Sequence, residues 1–170
     1  MSQETVVAIL VAVAALASTA GLATGRAPRI VTGAALALLA VALLVGWSSD
    51  DVHDLDKLVT VLAGVLAVTG GGLLTSQVFS FVEDPERVDR AGAVLRGGAW
   101  IGALERLGVY VALVVGWGPG LAIVLAVKGL GRYPELRNGD DTGVAERFII
   151  GTFTSVLWAV ACAGVAVLAP

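Results

Sequence analysis

The polar positions of this chain are gathered into a few short clusters, and the stretches between them are apolar. Five runs contain no Asp, Glu, Lys or Arg for twenty residues or more: Thr5–Gly25, Ile30–Ser49, Leu58–Val82, Leu107–Val127 and Phe148–Pro170. None alternates apolar with polar residues, so none reads as a membrane strand. A hydrocarbon core of about 30 Å needs roughly 20 helical residues, which each run supplies. In lipid a helix satisfies its backbone within one segment. The pattern therefore predicts an all-α, polytopic transmembrane helix bundle forming a single domain over 1–170. Ala, Val, Leu and Gly dominate the runs, as suits helices that approach closely through small residues. The first run is read as a retained helix, because Met1-Ser2-Gln3-Glu4 lacks the basic flank of a signal peptide.

The number of crossings turns on Trp117-Gly118-Pro119-Gly120, in the middle of the fourth run. This segment either kinks one helix at Pro119, which gives five spans, or turns the chain between two shorter helices, which gives six. A re-entrant hairpin that stops midway is a third arrangement. The distribution of cations discriminates between the first two. With five spans, six Lys and Arg face five across the membrane. With six, ten gather on one side: Arg26, Arg29, Arg87, Arg90, Arg96, Arg106, Lys128, Arg132, Arg137 and Arg147. Only Lys57 remains on the other side, among Asp50, Asp51, Asp54 and Asp56. The reading adopted is six helices, at about 5–24, 30–47, 58–82, 99–116, 119–135 and 147–168, with both termini outside. Pro119 near a helix start fits its fixed φ and missing N–H.

This topology brings polar residues to one depth. Thr75, Ser76 and Gln77 on the third helix and Thr152, Thr154 and Ser155 on the last lie roughly 8–12 Å above the inner boundary. Glu105 and Lys128 fall slightly lower. Such a layer predicts a polar cavity open to the cytoplasm, with Glu105 paired to Arg106, Lys128 or Arg147. The competing explanation is that the hydroxyls bond their own helix carbonyls and the cations snorkel. Gly70-Gly71-Gly72 reads as a close-packing site rather than a helix break. His53 and the neighbouring aspartates read as a solvated loop, so no metal site is expected. Trp47, Trp100 and Trp117 read as interfacial anchors, and Trp158 as a packing residue.

Composition narrows the classes of function. Of 170 residues, 57% are hydrophobic and 15% charged, with mean hydropathy +0.89. A soluble domain carries about 25% charged residues. Nucleic-acid binding and disulfide scaffolds do not fit, because the net charge is −3 and Cys162 is the only cysteine. No nucleophile elbow, zinc-binding helix or Walker loop is present, so neither an enzyme nor a cofactor is expected.

Three stretches carry a resemblance: Ile101-Gly102-Ala103-Leu104-Glu105-Arg106, then Ala126-Val127-Lys128-Gly129-Leu130-Gly131-Arg132-Tyr133, then Ala145-Glu146-Arg147-Phe148-Ile149-Ile150-Gly151-Thr152. Over roughly 96–160 the chain resembles the C-terminal region of a family of uncharacterised, multi-pass bacterial membrane proteins, and its composition looks actinobacterial. The resemblance implies a plasma-membrane helical protein and no particular activity. The matching charged positions are Glu105, Arg106, Lys128, Arg132, Glu146 and Arg147, the same cluster that the topology places at the inner face. The sequence thus predicts a structural or accessory membrane subunit, oligomeric or in a membrane complex, whose inner basic cluster binds anionic lipid or another anion. The alternative is an oligomeric channel or transporter subunit with a cytoplasm-facing polar cavity.

Overall fold

The computed structural model describes residues 3–23, 35, 37, 38, 41, 56–82, 98–138 and 144–168. Those residues are all-α, with no strand among them. The helices are α1 (Gln3–Ala23), α2 (Asp56–Val82), α3 (Gly98–Val114), α4 (Gly118–Gly131), α5 (Tyr133–Asn138) and α6 (Val144–Leu168). Residues 35, 37, 38 and 41 are helical, while the rest of the expected 30–47 helix lies outside the described residues. So do the acidic segment with His53 and the basic linker after α2. Among the described residues two helices, Lys57–Phe81 and Ala145–Leu168, are long and apolar enough to cross a membrane. Thr5–Ala20 and Gly118–Gly131 are apolar but shorter.

Helix α2 is the hub, packing against α1, α3 and α6. Its apolar residues run all round the helix, so propensity does not select one buried face; steric fit does. Val7, Val11, Ala14, Ala15 and Ser18 form the buried stripe of α1. On α2, Val59, Ala63, Leu66 and Ala67 are buried. On α6, Ala159, Cys162, Ala163 and Val165 are buried. Small side chains at this spacing let backbones approach and give dispersion contact without bulk. Outward faces are also apolar: Leu16, Val61, Leu104, Phe153 and Leu157 are each more than 60% exposed. Exposed apolar area spread over several helices suits a lipid environment.

The chain reverses between α3 and α4. Trp117 N–H donates to Ala112 O at 2.7 Å and Gly116 N–H to Leu113 O at 3.1 Å. Gly116 has φ +68°. This pair of bonds around a left-handed residue is a Schellman ending, which closes α3 and exempts its last carbonyls from needing other partners. Pro119 then opens α4 where its missing N–H costs nothing. The two arms lie antiparallel. Glu105 pairs with Lys128, and the Cα of Gly108 faces the Val124 side chain. One kinked helix therefore does not describe this segment. The second arm is shorter than the expected 119–135 helix: α4 ends at Gly131, Arg132 caps it, and Tyr133 starts a separate short helix. Pro134 explains the break, because it has no N–H to continue the helix ladder.

Candidate functional site

Residues of α2, α3, α4 and α6, with Arg132 just past α4, line a cavity of about 750 Å³. One arginine fixes its deep end. Arg106 is buried, 7% exposed, in the middle of an apolar bundle. Its Nε and Nη2 both donate to Val68 O, at 3.0 and 2.8 Å, and its Nη1 donates to Ser155 Oγ at 3.3 Å. The α2 carbonyl is reachable because Gly71 and Gly72 carry no side chains. A Cβ on Gly71 would lie 2.4 Å from Arg106 Cδ. Gly102, one turn before Arg106, leaves room for the guanidinium over its own helix: a Cβ there would lie 3.1 Å from Nη1.

Gly70 serves the neighbouring contact. Its Cα faces the Trp158 indole, whose Nε1 donates to Leu66 O at 3.0 Å. A third donor, Tyr110 Oη, reaches Thr60 O at 2.6 Å. Arg106, Tyr110 and Trp158 thus all bond to backbone carbonyls of one helix, α2. In hydrocarbon such donors must find acceptors inside the protein. The triplet Gly70-Gly71-Gly72 acts here by close packing, and α2 runs through it unbroken.

Charged residues gather on the cavity wall. Glu105, Arg106, Lys128, Arg132 and Arg147 all line it. Lys128 pairs with Glu105, each side chain about 15% exposed, and lies over Phe148 at 5.9 Å. Arg147 stacks on Phe79, with Cζ 4.3 Å from the ring centroid. Gly151 admits that phenyl ring: a Cβ there would sit 2.9 Å from Phe79 Cζ. The lining therefore has four cations and one carboxylate.

Of the expected polar layer, Thr75, Ser76, Thr152 and Ser155 line the cavity. Gln77 and Thr154 do not, and neither does Glu146 of the expected charged cluster. Each lies one residue, about 100° of rotation, from a lining neighbour, so its side chain leaves in another direction. The own-helix explanation holds for two hydroxyls: Thr75 donates to Gly71 O and Ser76 to Leu73 O, both at 2.7 Å. Thr152 Oγ1 is buried with no hydrogen-bond partner.

Several wall residues escaped the sequence reading: Gly98, Trp100, Phe79 and Gly151. The spacing of Gly98, Gly102 and Arg106 at four-residue intervals was a readable sign of one small-residue helix face. Among the described residues, no group of three or more His, Cys, Asp or Glu is placed to hold a metal ion. With this geometry in hand, comparison with known proteins gives no match, whether to a family model, a curated protein or a solved structure.

Proposed function

We propose that this chain is a small multi-pass protein of the bacterial plasma membrane, an accessory or structural subunit whose inner-facing cavity binds an anionic group of the phosphate type. One observation carries the reading: a cavity within a lipid-compatible helix bundle collects four cations against one carboxylate. Arginine and lysine supply several N–H donors each, and charge-assisted bonds to phosphate are among the stronger polar contacts. The six-crossing topology puts this cavity on the cation-rich side, where anionic lipid headgroups lie.

Transport is the weaker reading, because among the described residues this cavity ends at a filled interior. Its lining stops at Val68, Arg106 and Ser155. Beyond that level, Trp158, Tyr110 and Leu66 fill the interior.

The test replaces Arg132 and Arg147 by Gln and measures anionic lipid retained through detergent purification. Losing charge-assisted bonds worth about 1.5–3 kcal/mol each is expected to lower retention at least tenfold. Unchanged retention overturns the binding reading. Orientation is tested by a cysteine at Asn138 in a Cys162→Ser background. Labelling by an impermeant reagent only after the inner face is opened is expected, and labelling of intact cells refutes the topology.

A further inference from the structure

Resting on the anion-binding reading above, we infer that the occupant is a phosphate-headed lipid of the inner leaflet, with its phosphate at Arg132 and Arg147 and an apolar chain rising into the cavity toward Arg106.

The dimensions fit one leaflet. Along α2 the lining extends from Phe79 at the mouth to Val68 at the deep end. Eleven helical rises span about 16 Å. Half of a hydrocarbon core is about 15 Å.

The polar groups in the deep part are already satisfied by the protein. Arg106 is bonded to Val68 O and Ser155. Thr69, Thr75 and Ser76 bond carbonyls of their own helix. Lys128 is neutralised by Glu105. These side chains turn mainly carbon toward the cavity, next to Leu73, Phe79, Trp100, Ile101, Ala103 and Phe148. A soluble phosphate leaves such a wall unused, whereas a hydrocarbon chain covers it.

Entry is sideways. The contacts of α3 with α2 run from Tyr110–Thr60 to Arg106–Gly72. Past them the cavity occupies the space between the two helices, and Gly98, Ala99 and Trp100 at the start of α3 are exposed.

The experiment is native mass spectrometry of the detergent-solubilised protein, titrated separately with long-chain phosphatidic acid, glycerol 3-phosphate and inorganic phosphate. Phosphatidic acid is expected to bind at least a hundredfold more tightly than either soluble phosphate. Ala103→Phe, which fills the wall, is expected to weaken the lipid about tenfold. Ser76→Phe, at an exposed position on the opposite wall, is expected to do the same and serves if the first variant does not fold. Soluble phosphates binding as tightly as the lipid, or wall variants that leave lipid affinity unchanged, overturn the seated chain while the anion site stands. Lipid affinity unchanged in Arg132→Gln/Arg147→Gln overturns both.

Discussion

Replacing Gly70 by Ala tests whether the glycine triplet acts through close packing. The new methyl would stand 2.5 Å from Trp158 Cζ2 and 2.9 Å from Cε2. Carbon atoms rest at about 3.5–4.0 Å, so the indole has to retreat by about 1 Å. The ring is rigid and cannot yield by rotating a distal atom. Its retreat also stretches the 3.0 Å bond from Nε1 to Leu66 O beyond useful length. Overpacking costs about 1–3 kcal/mol and the lost bond about 0.5–1.5 kcal/mol, while Ala gains about 1 kcal/mol over Gly in helix propensity. The net expectation is a destabilisation of about 1–3 kcal/mol. At roughly 2–4 °C per kcal/mol, the melting temperature falls by about 2–12 °C. Cys162 is the sole cysteine and 0% exposed, so a thiol-reactive fluorogenic dye reports unfolding directly. Gly129→Ala is the control: nothing lies within 4 Å of its would-be Cβ, and propensity alone acts. That variant is expected to melt no lower than the parent. If Gly70→Ala melts at or above the parent, the packing argument is refuted, since the same methyl is then harmless against the indole.

Three further outcomes follow from the same geometry. Gly116→Val is expected to cost about 1–2 kcal/mol by thermal melting, because φ +68° crowds a Cβ; a neutral result denies the Schellman turn. Tyr110→Phe removes the bond to Thr60 O and is expected to lower stability by about 0.5–1.5 kcal/mol in the same melt. Glu105→Gln and Lys128→Gln are expected to be non-additive by about 0.6–1.7 kcal/mol in a double-mutant cycle, and additivity removes the pair.

The helical segments were legible because lipid-compatible runs are long and their boundaries are charged. The turn at Gly116 was legible for a different reason: the bias of cations to one side favours a reversal there. The charged cluster followed from helix depth, which brought Glu105, Lys128 and Arg147 together. What the sequence hid was rotation. Depth arithmetic says how far along a helix a residue lies, but not which way it points. Gln77, Thr154 and Glu146 therefore stood with their lining neighbours in the reading and stand apart from them in the structure. The partner of Arg106 was hidden too. It is a backbone carbonyl, which has no letter of its own, so Arg106 was expected beside Glu105 and the glycines were read as packing without the bond to Val68 O that they admit. The second arm of the hairpin was overestimated because Pro134 was counted within it.

The hairpin also bears on the bilayer around it. Its arms, 17 and 14 residues long, rise only about 25 and 21 Å. In a bilayer core of about 30 Å, a hairpin rooted at one surface would leave Trp117 several ångströms short of the other. Hydrophobic mismatch of this kind is relieved when lipids shorten or the membrane dimples locally, at fractions of a kcal/mol per ångström. With the long α2 and α6 beside this shorter pair, a surrounding bilayer would meet two thicknesses at once. Such a bilayer would be compressed on the α4 side and relaxed beside α2 and α6, and lipids with shorter chains would lower that cost.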